Sequence, residues 1–170
     1  MNWNVAFTFV SWLAMLAWLA LIVLPRGEIV KTLIFYCGIG LLCFVYSLLF
    51  LLVISNTLDP HAVQGAGAAG FTSVEGVRNI FMSDGGAVIG WTHYLAFDLF
   101  VGLWIARDAD AKGFSRLLQA PVLLVTFLAG PLGLLIWLFV REPAARRNAK
   151  AAKAARKQAK NQAANQGKNP

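Results

Sequence analysis

The chain has 170 residues, of which 58% are hydrophobic and 14% are charged, and its formal net charge is +7. This composition is too apolar for an ordinary soluble domain. The hydrophobic residues form four blocks: 5–24, 32–54, 86–106 and 117–140. Each block has about the 20 helical residues that are needed to cross a bilayer core. The sequence therefore predicts an all-α polytopic membrane protein with four transmembrane helices.

The first block is interpreted as a retained span and not as a secretory signal. Its flank "MNWN" has no Lys or Arg, and the "LPRGE" that follows is no small-residue cleavage site. The second block contains both cysteines, Cys37 and Cys43. Two thiols on one buried helix are expected to be packing residues, since they fit neither a disulfide framework nor a metal site.

The long connection between the second and third blocks contains a predicted amphipathic helix, within residues 71–83. Its apolar residues recur at three- and four-residue steps: Phe71, Val74, Val77 and Phe81. Ser73 is a candidate N-cap, and Glu75 and Arg78 stand three residues apart. We expect this helix to lie at the membrane surface or to fold back over the mouth of the bundle, as a connector or as a lid.

The third block, "GWTHYLAFDLFVGLWIARD", carries Asp98 where hydrocarbon is expected. A carboxyl group at the bilayer centre costs roughly 2.5–3.5 kcal/mol, so it normally faces protein or water. Four-residue steps place it on one ridge of the helix with other residues: Gly86, Gly90, Tyr94 and Gly102. Because small residues let helices approach closely, this ridge is predicted to pack against the fourth helix.

The fourth block, with "LAGPLGLLIW", offers Gly130, Pro131 and Gly133 for that contact. Inside a helix, Pro131 would leave the carbonyl of Phe127 without its backbone donor. Tyr94, His93 or a protonated Asp98 is a candidate donor. In this interpretation Asp98 pins two kinked helices together.

The second interpretation of the third block is catalytic. A protonated Asp98 and a neutral His93 would be an acid and a base acting on a lipid-soluble substrate. Further candidate ligand-binding residues come from the same block and from the amphipathic segment: Trp91, Tyr94, Glu75 and Arg78. The sequence leaves the role of Asp98 open between pin and acid, and favours His93 as a lining residue of the ligand site.

No metal or cofactor is predicted. The candidate metal ligands share no helical face and no known ligand spacing: His61, His93, Asp98, Asp108 and Asp110. The chain has no "GxGxxG", no "CxxCH" and no histidine-pair boxes.

The C-terminal residues 142–170 are predicted to be a basic, low-complexity cytoplasmic tail, separate from a transmembrane domain of residues 1–141. The tail is expected to contact anionic headgroups, at about 1 kcal/mol per basic residue, and not nucleic acid, since it lacks aromatic and base-reading side chains. Four spans would place both termini on one side, and the charge of the tail indicates the cytoplasm. The basic residues of the short loops argue against this orientation: Arg26, Lys31, Arg107, Lys112 and Arg116.

The runs "EGVRNIF", "GWTHYLAFDLFVGLWIARDA" and "GPLGLLIW" resemble the abscisic-acid-deficiency-four (neoxanthin synthase-like) family of integral membrane proteins. The resemblance covers about residues 5–141 and is most specific in "HYLAFDLFVG". It implies a four-span membrane protein and, in plants, a role in converting violaxanthin to neoxanthin. It supplies no catalytic assignment. The absence of a transit peptide and the basic tail favour a bacterial inner-membrane member.

Two functions follow from these patterns, and whether the protein is an enzyme stays open. The first is binding or cofactor-independent acid–base isomerisation of a carotenoid or other polyisoprenoid. The alternative is a non-catalytic lipid-binding or scaffold protein that supports other membrane enzymes. A transporter has the least support, because no run of ionisable residues marks a path. A homo-oligomer and a membrane-enzyme partner both remain open.

Overall fold

This computed structural model describes residues 2–166, which contain six helices joined by non-helical connections. They are α1 (Trp3–Val23), α2 (Glu28–Ile54), α3 (Val74–Phe81), α4 (Asp84–Ala111), α5 (Arg116–Leu128) and α6 (Gly130–Gln166). The middle of α2, Ile34–Gly40, is π-helical and lies between α-helical Glu28–Leu33 and Leu41–Ile54. The predicted all-α class is confirmed for the described residues.

Three of these helices, α1, α2 and α4, are long and apolar enough to cross a membrane. Local signals set the bounds of α1. The Asn2 side chain caps its first turn by accepting from the backbone N–H of Asn4 and Val5. At the other end, Leu24 is extended before Pro25, and the buried Arg26 donates from Nε to the carbonyl of Leu21 at 3.0 Å.

Two compact units divide the chain between Leu103 and Trp104. In the first unit α1 and α4 run parallel, as contacts at three levels show. Trp3 lies against Gly85, the Trp91 indole donates to Ser11 Oγ at 3.1 Å, and Trp18 lies against Gly102.

Helix α2 runs antiparallel to α1 and α4 within that unit. Its π-helical segment approaches both neighbours at Gly38, where a Cβ would lie 3.1 Å from Ala17 and 3.3 Å from Leu99. Towards the end of α2, Leu49 belongs to a buried cluster with Trp3 and Val88. The start of α1, the end of α2 and the start of α4 therefore lie together.

In the second unit the predicted fourth span is not a single helix. The chain breaks at Ala129, with φ −155° and ψ 82°, into α5 and α6. A Cβ on Gly133 would collide with the backbone of Thr126. Seven residues of continuous helix would separate these positions by about 10 Å, so the chain folds back at the break. The expectation of one helix over residues 117–140 is wrong.

Pro131 is also placed differently from the sequence prediction. It is the second residue of α6, where the backbone N–H has no intrahelical partner in any case. It therefore opens a helix and does not kink one, and the helix start at Gly130 removes the reason to expect an interior bond lost to it.

The hairpin of α5 and α6 returns to the C-terminal end of α4. Asp108 Oδ2 accepts from Trp137 Nε1 at 3.0 Å, and its Oδ1 accepts from Arg141 Nη2 at 3.1 Å. Lys112 Nζ lies 3.2 Å from the same carboxylate, and the rings of Phe114 and Trp137 meet edge to face with centroids 5.0 Å apart. This Asp108 clasp fixes the returning helix beside the point where the hairpin began.

The predicted amphipathic helix is confirmed as α3. Ser73 is its N-cap and accepts from the Gly76 N–H at 3.0 Å, and Arg78 pairs with Glu75 at 2.7 Å. The predicted tail continues α6 as helix to Gln166, with Arg146, Lys150 and Lys153 exposed. Residues 167–170 lie outside the described part.

Candidate functional site

A cavity of about 680 Å³ lies in the first unit. It is enclosed by the second half of α2, the connection before α3, α3 itself and the first half of α4. Its lining is predominantly apolar and aromatic, with a small polar set: Tyr46, Asn79, Ser83 and His93. This is the composition of a site for an apolar small molecule that is oriented by a few polar groups.

The connection between α2 and α3 is held over the cavity by backbone pairing. Val63 N–H donates to the Met82 carbonyl at 2.9 Å, and Gly85 N–H donates to the Pro60 carbonyl at 2.9 Å. The Asn79 side chain donates from Nδ2 to the Ala68 carbonyl at 3.1 Å. These bonds tie the glycine-rich segment to α3 and form a roof over the cavity, which we call the roof segment (residues 60–70).

Close backbone approaches explain why that segment is rich in glycine. A Cβ on Gly76 would lie 2.9 Å from the Gly70 carbonyl oxygen, and one on Gly67 would lie 2.8 Å from Asn79 Nδ2. Gly90 of α4 has a similar role, because a Cβ there would lie 2.6 Å from the ring of Phe81. Glycine therefore allows both the roof segment and α3 to pack closely.

His93, a predicted ligand-site residue, is one of the residues that line the cavity. Its imidazole stacks on Phe97, with centroids 4.6 Å apart, and meets the ring of Tyr46 at 5.4 Å. Tyr46 in turn stacks on Phe50 at 5.9 Å. Aromatic neighbours therefore fix the orientation of the histidine ring, and Tyr46 and His93 line the same cavity.

Asp98 is buried, at 7% exposure, but it is not one of the cavity-lining residues. Five residues after His93, it lies about 140° around the helix and about 7.5 Å along it. The neighbouring Leu99 approaches Gly38 of α2, and Gly102 lies under Trp18 of α1. The expected acid and base therefore do not meet in one cavity.

The other predicted ligand-binding residues lie away from the cavity lining. Glu75 and Arg78 pair with each other, with side chains 66% and 62% exposed. The Trp91 ring stacks between Phe7 of α1, at 6.0 Å, and Tyr94, at 5.3 Å. Trp91 and Tyr94 thus belong to the contact between α4 and α1.

The predicted helix-packing glycines are in close contacts, with neighbours other than those expected. Gly86 lies against Ile80 and Ser83, Gly90 against Phe81, and Gly102 against Trp18. In the second unit Gly133 lies against Thr126, while Gly130 and Pro131 begin α6. Aromatic rings of α3 and α1 therefore cover two of the three α4 glycines, Gly90 and Gly102.

Sequence reasoning missed Tyr46, Phe50 and Asn79. Nothing in the charge-free second block distinguishes the lining residues Tyr46 and Phe50 from lipid-facing ones. Asn79 is a polar residue of the predicted amphipathic segment, where polar side chains are expected on the solvent-facing side. Among residues 2–166 no cluster of three or more His, Cys, Asp or Glu side chains has a geometry that suits a metal ion.

Comparison with known proteins places this chain in a family. A family model described as ABA DEFICIENT 4-like matches residues 5–137. No curated protein and no solved structure gives a significant match.

Proposed function

Because the chain belongs to the ABA DEFICIENT 4-like family, we propose that it is a neoxanthin-synthase-like membrane protein that binds a carotenoid or another polyisoprenoid lipid. The observation that carries this proposal is the cavity of about 680 Å³ with His93 in its lining. Its volume falls in the range of roughly 300–1,000 Å³ that is typical of small-molecule sites.

The lining favours a long, conjugated apolar ligand over a polar one. Aromatic rings from three elements contribute to it: Tyr46, Phe50, Phe71 and Phe81. Flat faces of this kind suit a polyene or a prenyl chain. The few polar groups suit the hydroxyl or epoxide oxygen found at one end of such a molecule.

Acid–base isomerisation is the catalytic form of this proposal, and the pairing of Tyr46 with His93 favours it. His93 takes a proton from carbon, and the electron pair left behind forms a new carbon–carbon double bond as the epoxide C–O bond breaks. Tyr46 gives its proton to the oxygen that leaves. Return of the proton from His93 to Tyr46 restores both groups, so the step needs no redox partner. Asp98 then has a packing role.

The alternative is a lipid-binding or scaffold protein that presents the same ligand to other membrane enzymes. The cavity serves both forms equally well, so the two differ only in whether Tyr46 and His93 act on the ligand.

Ligand binding is tested by purifying the full chain from a carotenoid-producing host and chromatographing the extracted lipids. We expect co-purified polyisoprenoid from the native chain and a large loss from Ala62→Trp, which fills the cavity. Leu16→Trp is the matched control, because Leu16 is 60% exposed on α1 and distant from the lining residues. Equal lipid content in the two tryptophan variants would exclude this cavity as the site.

Catalysis is tested by expression in a host that makes violaxanthin, with neoxanthin measured by chromatography. His93→Gln and Tyr46→Phe are expected to keep lipid binding and to lower product formation by a factor on the order of 100. Product at the native rate from both variants would leave only the binding function.

A further inference from the structure

When α1, α2 and α4 each cross the membrane once, chain order assigns most basic residues of the described part to one membrane side and the cavity to the other. The turn between α1 and α2 follows one crossing and the end of α4 follows three, so chain order assigns both to the same membrane side. Arg26 and Lys31 belong to that turn and to the first residues of α2, while Arg107 and Lys112 lie at the end of α4. The cavity instead lies beside the start of α4, where Gly85 pairs with Pro60.

Within the second unit, the hairpin returns the chain to the end of α4. Helix α5 has 13 residues, about 20 Å of helix, which is well short of the roughly 30 Å hydrocarbon core. The chain then folds back at Ala129, and the Asp108 clasp holds Trp137 and Arg141 beside the end of α4. The hairpin therefore starts and ends at the same end of α4, which means that it adds no further crossing.

With three crossings, the start of the chain and its basic tail lie on opposite sides. Every Lys and Arg of residues 2–166 except Arg78 then belongs to the tail side. In a four-span arrangement the basic residues of the short loops and those of the tail lie on opposite sides of the membrane. With three crossings both groups lie on the same side. Excess Lys and Arg marks the cytoplasmic side of a membrane protein.

We infer that the cavity and its roof segment face the non-cytoplasmic side, so that the ligand enters from the outer leaflet. The side that the cavity faces is inferred from topology, and the entry of the ligand from the outer leaflet rests on the proposed lipid-binding function. An outer-leaflet entrance restricts the ligand to lipids that reach that leaflet, and it places Arg78 of α3 outside. It replaces the expectation that both termini are cytoplasmic.

Single cysteines test this arrangement in the full chain expressed in a bacterial inner membrane. The background is Cys37→Ala with Cys43→Ala. Thr72→Cys and Gln64→Cys report on the exposed connection before α3, and Lys153→Cys reports on the tail. A membrane-impermeant maleimide is added to cells with a permeabilised outer membrane and then to cells whose inner membrane is also opened.

We expect Thr72→Cys and Gln64→Cys to label before the inner membrane is opened, and Lys153→Cys to label only afterwards. Labelling of all three on one side would show a fourth crossing and overturn the inference. The reverse pattern would keep three crossings and place the cavity in the cytoplasmic leaflet, which also overturns it. A fluorescent protein fused to the C-terminus, which fluoresces only in the cytoplasm, gives a second measure of the tail side. No ligand takes part in these measurements, so their failure is distinct from failure of lipid binding.

Discussion

Trp18 of α1 covers Gly102 of α4 so closely that its indole ring occupies the space that a side chain at position 102 would need. Trp18 is 3% exposed, and the flanking Leu99 and Leu103 are buried as well. Here a large ring of one helix fits over a position without a side chain on its neighbour. The contact fixes the distance between α1 and α4 near Asp98.

Gly102→Ala is expected to lower the free energy of unfolding by about 1–3 kcal/mol, because the new methyl group forces the Trp18 ring from its place. The measurement is a denaturant titration of the purified protein in micelles. Gly27→Ala is the matched control, since a Cβ at Gly27 meets nothing within 4 Å. An equal effect of the two substitutions would contradict the close fit described here.

The sequence predicted the spanning helices α1, α2 and α4 and the amphipathic α3 from local signals alone. Apolar length gives a span, and the Ser73 cap with three- and four-residue spacing gives a short helix. Such signals depend only on neighbouring residues. His93 lines the cavity, and its role in a ligand site stays a prediction.

The prediction of a single span for the fourth block was wrong because length and hydrophobicity do not distinguish one span from two half-length helices. "AGPLG" fits both a kink within a helix and the start of a new one, since proline is tolerated in the first turn. The clasp that decides between them joins Asp108 to Arg141, 33 residues apart. The pairing of α4 glycines with Trp18 and Phe81 is equally long-range, and no local pattern names such a partner.

Asp98→Asn is expected to fold and to keep lipid binding, because Asp98 lies outside the cavity lining and an amide keeps its size and polarity. Asp98→Leu is expected to lower the free energy of unfolding by about 1–3 kcal/mol, because Asp98 is buried and leucine cannot replace the polar interaction of its carboxyl group. Stability and bound lipid are measured on the same preparations. Loss of product with normal stability and normal lipid content in Asp98→Asn would instead assign Asp98 to catalysis.

Asn79→Ala is expected to loosen the roof segment without weakening the helix bundle. The substitution removes the 3.1 Å bond from Nδ2 to the Ala68 carbonyl, which is worth roughly 0.5–1.5 kcal/mol. Hydrogen exchange of residues 60–70 should accelerate several-fold, while exchange in α1 stays unchanged. Gln64→Ala, at an exposed side chain of the same segment, serves as the control. Unchanged exchange in Asn79→Ala would show that backbone pairing alone holds the roof.

Asp108→Asn is expected to destabilise the hairpin by about 1–3 kcal/mol, because it removes the charge shared by Lys112 and Arg141 while Trp137 keeps an acceptor. Glu75→Gln removes an ion pair that is about two-thirds exposed, and it should cost no more than roughly 1 kcal/mol. Unfolding and tryptic cleavage at Arg116 are compared in the two variants. Faster cleavage is expected only in Asp108→Asn. Equal cleavage rates and equal unfolding in the two variants would show that the Asp108 clasp does not hold the hairpin in place.

Deletion of residues 144–170 is expected to leave the fold, membrane insertion and lipid binding intact, because Trp137 and Arg141 remain. The unfolding midpoint should match that of the full chain, and failure to insert would show that the tail has a structural role. Deletion of residues 137–170 is the contrasting variant. It removes Trp137 and Arg141, the two partners of Asp108 in α6, and it should destabilise the hairpin.

The tail itself is expected to bind anionic lipid through one helical face. Arg146, Lys150, Lys153 and Lys157 follow at three- and four-residue steps in α6, and all four are exposed. In vesicles that present the tail outward, phosphatidylglycerol should therefore protect these sites from trypsin, whereas zwitterionic lipid should not. Salt near 1 M, where the screening length falls to about 3 Å, should abolish that protection. Protection that persists in zwitterionic vesicles would mean that apolar contact or protein, and not charge, shields the tail.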